Sequence, residues 1–344
     1  MSRRRFLQAS ALIGAAAVTG GFRGPRGAAA QSPSRPAAKG PIRIVMGGYS
    51  PPTTGFSLAL KMMGDRLEKK FGKDVEVRYV YNILDLGYKG EDILWLVESG
   101  VLSAGYQSSS YLTERVPDLG VADLPFLFSD TESARGAMDG TFGRMLVERT
   151  EAKMNYRILG WFENGFRHIS NSVRPVHVPA DMKGLRMRVL PSKIQERTFA
   201  LLGANPKIMD LSELVPAIKA GTIDAQENPF FNTVTYGVHK LHRFHTASNH
   251  FYLSRPIFFH RPAFDSWPRP VQDELRAGAR EAMAFQRGMH VKEEEDSMVA
   301  ISAEGGSIVD LTGAEHKAFV DAVTPLYGEV RGQYDRALLS IVNL

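Results

Sequence analysis

Two side chains at the ends of predicted strands have the chemistry to bind an anion. Arg188 offers a guanidinium, a rigid fork that matches a carboxylate with two parallel hydrogen bonds. Asn228 offers an amide that can donate to a carboxylate oxygen while its carbonyl is held locally. In a cleft that excludes water, a charged ligand needs an opposite charge to offset desolvation. The structural alternatives are a solvated strand arginine and a turn asparagine before Pro229.

The segment that carries these residues alternates between strand and helix signals. Apolar residues alternate with arginines over 185–189, the period of a strand with one apolar face. One helix is predicted from a Ser-x-x-Gln capping box to a glycine over 192–203, a short apolar run follows at 208–209, and a second helix is predicted over 210–221. A strand follows at 222–226. This β-α-β-α-β order predicts a parallel, doubly wound sheet, in which ligands bind beyond the carboxyl ends of the strands.

The same segment resembles the core of the DctP-type solute-binding proteins of TRAP (tripartite ATP-independent periplasmic) transporters. The matching motifs are Lys183–Val189, Leu202–Pro206, Ala220–Pro229, Asp123–Phe128 and Gly165–His168. The resemblance covers about the whole chain after its leader. It implies an α/β fold of two lobes, the type II-like periplasmic-binding-protein fold, with a hinge and a long helix that spans both lobes.

The resemblance also implies roles for single residues. In the family, the arginine that matches Arg188 makes the main carboxylate pair, and the asparagine that matches Asn228 contacts the ligand. The arginine that matches Arg167 reaches the ligand directly or through water, with a salt bridge at the hinge as the alternative. Glu91 begins a helix where related proteins place a polar ligand contact. Ser50-Pro51 stands where the family commonly has a His-Pro pair, which leaves the first-lobe half of the site open.

A weak internal repeat adds further candidates for the opposite wall. Residues 97–104 and 218–225 each show a helix end, a glycine and a strand, although two such joints can be similar by chance. If each copy lies in a separate lobe, Tyr106 and Gln107 face the residues that follow the second copy. Phe230, next to the last motif, is a candidate for the wall of the pocket, with core packing as its alternative.

The positive charge of the chain is concentrated in its first residues. The net charge of +5 equals the five arginines of residues 1–30, a stretch without acidic residues, and the rest has 37 residues of each sign. The composition therefore gives no support to a nucleic-acid partner. Residues 2–8 match the twin-arginine export pattern, so 1–30 is predicted to be a signal peptide and 31–40 a disordered spacer. We expect a periplasmic protein, and the absence of cysteine excludes disulfides and a lipid anchor.

The resemblance divides the chain between two lobes that each combine distant segments. The predicted first lobe is 41–163 plus 254–292, and the second is 164–253 plus 293–344. The chain is expected to cross between lobes near Glu163 and near Ser254. A helical stretch from Val271 to about Ser302 is longer than a typical globular helix, so we expect it to brace both lobes.

These features favour a receptor that binds an organic acid and delivers it to a TRAP membrane permease, acting as a monomer without a cofactor. The alternative is a periplasmic enzyme exported by the twin-arginine pathway. His239, His242 and His245 recur every three residues and would be its candidate metal ligands, although no acidic residue or cysteine completes a known pattern. A third reading is a receptor that feeds a sensor, and the sequence does not separate it from transport.

Overall fold

A computed structural model of the protein, which describes residues 40–344, contains two β-sheets flanked by helices. The predicted signal peptide (1–30) and residues 31–39 of the predicted spacer lie outside the described residues. The strands are β1 (Ile42–Gly47), β2 (Val75–Val80), β3 (Ala104–Tyr106), β4 (Tyr156–Phe166), β5 (His168–Asn171), β6 (Arg186–Val189), β7 (Asn205–Ile208), β8 (Ala225–Asn228), β9 (Phe244–Ala247), β10 (Tyr252–His260) and β11 (Ser307–Asp310).

The helices lie between these strands in the order expected for an α/β protein. They are α1 (Gly55–Phe71), α2 (Asp92–Glu98), α3 (Thr131–Asp139), α4 (Thr141–Lys153), α5 (Lys193–Leu201), α6 (Leu211–Lys219), α7 (Phe230–Thr235), α8 (Arg261–Ser266), α9 (Arg269–Ala303), α10 (Gly313–Val330) and α11 (Arg336–Ile341). None of the helices in the described part of the chain is long and apolar enough to cross a bilayer.

Each sheet forms the centre of one lobe. The first sheet has the strand order β2-β1-β3-β10-β4, and the second has the order β11-β9-β5-β8-β6-β7. Both are mixed, because β10 is antiparallel to its two neighbours and β5 is antiparallel to β8 and β9. We call the elements around these sheets the first and the second lobe. The predicted two-lobe α/β fold is thus confirmed.

The predicted β-α-β-α-β unit is present in the second lobe. β6 pairs in parallel with β7 on one side and with β8 on the other. Ser192 caps α5 by accepting a hydrogen bond from the N–H of Gln195, as predicted. The reciprocal half of the capping box is absent, because the Gln195 amide accepts from the N–H of Leu190 and donates to Ser110 Oγ at 3.0 Å. Packing between elements has redirected this side chain.

The chain passes between the lobes from β4 of the first sheet to β5 of the second, and returns from β9 of the second sheet to β10 of the first. β4 ends at Phe166 and β5 begins at His168, while β10 begins at Tyr252, after the end of β9. The two predicted crossing points, Glu163 and Ser254, are paired with each other in the β4–β10 ladder. The predicted lobe boundaries remain a prediction. The last helix, α11, packs against α4, which precedes β4 of the first sheet.

One long helix contacts both lobes, as the resemblance implied. α9 has 35 residues and packs on α1 and β4 in the first lobe and on α7 in the second. Two consecutive carboxylates of α9 accept hydrogen bonds from the N-termini of α1 and α7. Glu293 accepts a 2.7 Å hydrogen bond from the N–H of Gly55, at the start of α1. Glu294 accepts from the N–H groups of Phe230 and Phe231, at the start of α7, and burial raises its pKa to about 8.

Candidate functional site

Three buried arginines line one narrow cavity between the lobes. Arg167 is 1% exposed, and Arg188 and Arg255 are each 2% exposed. The empty volume of this cavity is about 250 Å³. Three larger surface depressions, of about 1130, 730 and 1160 Å³, lie elsewhere and contain none of these arginines. We place the candidate site at the small cavity because buried guanidinium groups are costly unless they bind a partner.

Arg188 lies near the end of β6 and is held in position without a carboxylate. Its Nε donates to the carbonyl of Met209 at 2.9 Å, and its Nη2 donates to the Tyr111 hydroxyl at 3.1 Å. Within residues 40–344 it forms no ion pair, and its Nη1 has no hydrogen-bond partner. Arg186, two residues earlier on the strand, is half exposed and paired with Asp224. β6 therefore carries Arg186, whose charge is neutralised by Asp224, and Arg188, which lines the cavity and whose charge no described carboxylate neutralises.

Arg167 lies between β4 and β5 and already has an anionic partner. Its Nη2 donates to Glu227 Oε1 at 2.8 Å and to the Glu227 carbonyl at 2.7 Å, and its Nε also contacts this carboxylate. Burial alone would raise the pKa of Glu227, but Arg167 and His250 outweigh burial and hold this pKa below its usual value. Glu227 is completely buried, so the pair is a fixed part of the wall.

Asn228, at the end of β8, lines the cavity beside this ion pair. Its Oδ1 accepts a 2.9 Å hydrogen bond from Arg167 Nη2, and its Nδ2 donates to Gln226 Oε1. A side-chain amide carries two N–H donors, so one of them remains for a ligand. The structure thus brings together Arg188, Asn228 and Arg167, and their contact with a ligand remains a prediction.

Arg255, in β10, is a cavity residue that the sequence reasoning missed. Its Nη2 donates to Asn164 Oδ1 at 2.5 Å and to Asn232 Oδ1 at 3.1 Å. Its guanidinium carbon lies 4.2 Å from the centroid of the Phe56 ring and 5.0 Å from that of the Tyr49 ring. The available signal was a single arginine in the run 251–259, in which Ser254 is the only other residue that is not apolar or aromatic.

The repeat located the correct strand but not the side chains that reach the cavity. β3 lies in the first sheet and β8 in the second, as the repeat implied. Tyr106, however, stacks on Phe56 with a centroid distance of 5.2 Å and does not line the cavity. Gln107 donates to the carbonyl of Gly90 and accepts from the N–H of Ser108, which anchors the loop before α2. A binding role for Tyr106 and Gln107 remains a prediction without a cavity contact.

Ser108 and Tyr111 provide the surface of the first lobe that follows β3. Ser108 lines the cavity, and its Oγ is buried without a hydrogen-bond partner among the described residues. The Tyr111 hydroxyl also accepts from the N–H of Leu211 at 3.2 Å, in addition to its contact with Arg188. Burial raises the pKa of Tyr111, so its hydroxyl stays neutral. Tyr111 thereby joins the two walls of the cavity.

The remaining candidates, Glu91 and Phe230, lie outside the cavity lining. The Glu91 side chain is 46% exposed and is 3.5 Å from Lys89 Nζ. Phe230 is buried and stacks on His168 with a centroid distance of 4.0 Å. Their predicted ligand contacts have no support from this arrangement and remain predictions.

The regularly spaced histidines make separate local contacts. His242 Nδ1 lies 3.0 Å from Ser170 Oγ, and His245 Nε2 lies 3.0 Å from the carbonyl of His242. Over residues 40–344, no group of three or more His, Asp or Glu side chains is arranged to hold a metal ion. The cavity instead collects hydrogen-bond donors and positive charge, an arrangement that binds an anion.

Comparison with known proteins also indicates a solute-binding protein. The sequence profile described as bacterial extracellular solute-binding protein, family 7 (DctP), matches residues 46–333. A solute-binding protein of Verminephrobacter eiseniae (strain EF01-2) is 29% identical over 286 residues, 83% of this chain and 84% of that protein. The C4-dicarboxylate-binding periplasmic protein DctP of Rhodobacter capsulatus is 32% identical over 216 residues, 62% of this chain and 64% of that protein.

A solved structure shows the same architecture. The sugar acid binding protein DctPAm from Advenella mimigardefordensis, crystallised in complex with galactonate, is 25% identical, with a TM-score of 0.83. The match covers 88% of this chain and 97% of that chain. The resemblance of the sequence motifs to the DctP-type receptors is confirmed, and the chain belongs to family 7 of the bacterial extracellular solute-binding proteins.

Proposed function

We propose that this protein is a periplasmic receptor that binds an organic acid through its carboxylate and delivers it to a TRAP-type membrane permease. The observation that carries the proposal is Arg188, a buried guanidinium without an anionic partner among residues 40–344, at the carboxyl edge of the second sheet. The names of related proteins, which bind a C4-dicarboxylate or a sugar acid, support the class of ligand.

The proposed cycle is one of binding and release, without turnover of the ligand. The acid enters between separated lobes, and its carboxylate pairs with Arg188 while Asn228 and Arg167 supply further donors. Contacts with both lobes favour the closed state, because a ligand stabilises the conformation to which it binds more tightly. Tyr111 takes part in this closure, since it contacts Arg188 and the N–H of Leu211 from the first-lobe side. The closed monomer then docks on the permease.

The location of the receptor follows from its leader. Arg3 and Arg4 are the twin arginines of the export pattern. Replacing both with lysine should keep the protein in the cytoplasm, which cell fractionation and immunoblotting would detect. A variant with lysine only at Arg5, the position after the pair, is the matched control and should still reach the periplasm.

Binding can be tested directly by calorimetry on the purified protein lacking its leader. A panel of aliphatic acids, keto acids, sugar acids and aromatic acids should contain a ligand that raises the melting temperature, because it binds only the native state. An Arg188→Ala variant should lose this response. Undiminished affinity in that variant would remove the basis of the proposed mechanism.

A further inference from the structure

The Tyr111 hydroxyl has one hydrogen-bonding capacity that the described chain does not use. Its oxygen accepts from Arg188 Nη2 at 3.1 Å and from the N–H of Leu211 at 3.2 Å. A hydroxyl has two lone pairs and one proton, so these two bonds use its accepting capacity and leave the O–H. No group of residues 40–344 accepts a hydrogen bond from this O–H. Because Tyr111 lines the cavity, the O–H is free to donate to a molecule bound there.

The contact with Arg188 places this O–H beside the proposed position of the ligand carboxylate. A carboxylate that pairs with the Arg188 guanidinium binds the same group that the Tyr111 hydroxyl contacts at 3.1 Å. A hydroxyl that accepts from a guanidinium is polarised, which makes its own O–H a stronger donor. A bond from this O–H to an ionised carboxylate is charge-assisted, and so is stronger than a bond between neutral groups.

Three neighbouring residues of the first lobe form hydrogen bonds across to the second. Besides Tyr111, Ser110 Oγ accepts from Gln195 Nε2 at 3.0 Å, and Thr113 Oγ1 donates to the carbonyl of Pro191 at 3.0 Å. Of the three, Tyr111 lines the cavity, whereas Ser110 and Thr113 do not border it. Tyr111 is thus the member of this group that combines a contact across the lobes with access to a ligand.

Building on the proposed receptor function, we propose that Tyr111 is the residue through which a bound acid closes the lobes. Its O–H donates to the carboxylate that is paired with Arg188, while its oxygen accepts from the second lobe. The bond to the ligand forms only after the lobes have closed, so it raises the affinity of the closed state alone. A ligand shifts an equilibrium only by the difference in its affinity for the two states, and Tyr111 supplies that difference.

A purely structural role for Tyr111 is the competing explanation. In that role its hydroxyl would hold the lobes together in the same way as Thr113, whether or not a ligand is bound. The two roles differ in what the loss of the hydroxyl changes. A structural contact stabilises the closed state with and without the acid, whereas a ligand contact determines how far the acid itself promotes closure.

The experiment uses the organic acid from the calorimetry panel that raises the melting temperature most. In a crystal structure of the wild-type protein with this acid, Tyr111 Oη should lie within about 3 Å of a carboxylate oxygen. In Tyr111→Phe the affinity should fall about 30-fold, and small-angle X-ray scattering should show no contraction at saturating acid. Thr113→Val is the matched control, because it loses a contact across the lobes outside the cavity. It should lose no more than about fivefold in affinity and should still contract.

Each outcome bears on the role of Tyr111. A separation of more than about 3.5 Å between Tyr111 Oη and every ligand oxygen would overturn the proposal. Normal contraction of Tyr111→Phe on addition of the acid, or equal losses in the two variants, would also overturn it, while the proposed receptor function would stand. If no organic acid binds the wild-type protein, both proposals fail. If Tyr111→Phe does not fold, the crystal structure of the wild-type complex still decides.

Discussion

The carboxylate of Asp210 accepts a 3.0 Å hydrogen bond from the backbone N–H of Gly90, and so joins the second lobe to the first. Its other oxygen accepts an equally long bond from the N–H of Glu91. The same side chain caps its own helix, α6, through Ser212. Burial alone would raise the pKa of Asp210, but these donors outweigh it and keep the carboxylate charged. One side chain therefore holds helix ends from both lobes.

Replacing Asp210 with asparagine should weaken closure. The amide replaces Oδ2, the acceptor of the Glu91 N–H, with an N–H₂ group and loses the charge, so the bonds to the first lobe are weakened. We expect the affinity for the ligand to fall about tenfold, because fewer molecules populate the closed state. Calorimetry measures the affinity, and small-angle X-ray scattering should show a larger radius of gyration with ligand bound.

Asp130→Asn is the matched control for this change. Asp130 caps α3 through the N–H of Ser133 and has no contact across the lobes. Asparagine caps a helix about as well as aspartate does, so neither variant should lose much folding free energy through its cap. An equal loss of ligand affinity in the two variants would show that the Asp210 contact does not act through closure.

Arg188→Ala should remove ligand binding while the protein still folds cooperatively. The ligand carboxylate would enter the cavity without its main charge partner, and the expected loss is roughly 3 kcal/mol, or more than 100-fold in affinity. Arg186→Ala is the control on the same strand, because Arg186 is half exposed and paired with Asp224. That variant should bind with affinity within about twofold of the wild type, since an exposed pair contributes little.

Glu227→Gln should destabilise the fold far more than an equivalent change at the surface. The substitution leaves Arg167 buried without its anionic partner, which typically costs about 3–5 kcal/mol. Asp224→Asn, immediately before β8, removes the partner of the half-exposed Arg186 and should cost less than about 1 kcal/mol. Urea unfolding of both variants at neutral pH gives the comparison. Equal losses would contradict the structural role assigned to Glu227.

Buried histidines should make the protein sensitive to mild acid. Burial lowers the pKa of His168, His242 and His290 to about 3 and that of His245 to about 4, from an unfolded value near 6.5. Between these limits the unfolded chain binds more protons than the folded protein. Stability is therefore fully present above pH 6.5 and decreases as the pH falls, by about 1.4 kcal/mol per pH unit for each histidine.

The contribution of one histidine to this pH dependence of stability can be isolated by mutation. His290→Gln should reduce the slope of the unfolding free energy against pH by about one histidine's share between pH 6 and pH 4.5. The slope between pH 7 and pH 8.5 should be the same in both proteins, which serves as an internal control. An unchanged slope in the acid range would show that His290 titrates normally in the folded protein.

Local signals predicted much of the fold. The helices predicted over 192–203 and 210–221 correspond to α5 (Lys193–Leu201) and α6 (Leu211–Lys219), because caps and terminal glycines act over a few residues. The brace helix begins and ends within two residues of its predicted limits. The parallel order of β6, β7 and β8 followed from the strand–helix alternation.

Local signals of this kind could not identify the residues that the first lobe contributes to the site. The repeat placed β3 correctly, but the chain turns after Tyr106, so the side chains that reach the cavity are those of Ser108 and Tyr111. Arg255 faces the cavity because β10 lies between β3 and β4, a pairing of strands far apart in sequence. Such long-range neighbours are invisible to periodicity and capping rules.

The order of strands in the sheets also has a consequence for synthesis. β10 completes the first sheet, and β11 (Ser307–Asp310) occupies the edge of the second. Neither sheet can therefore be completed before its last strand in the sequence, β10 or β11, has been synthesised. Contacts between residues so distant in sequence slow folding, because a long loop must close before it is stabilised. The first sheet thus waits for β10 and the second for β11, and a truncation before β11 should leave the edge of β9 exposed.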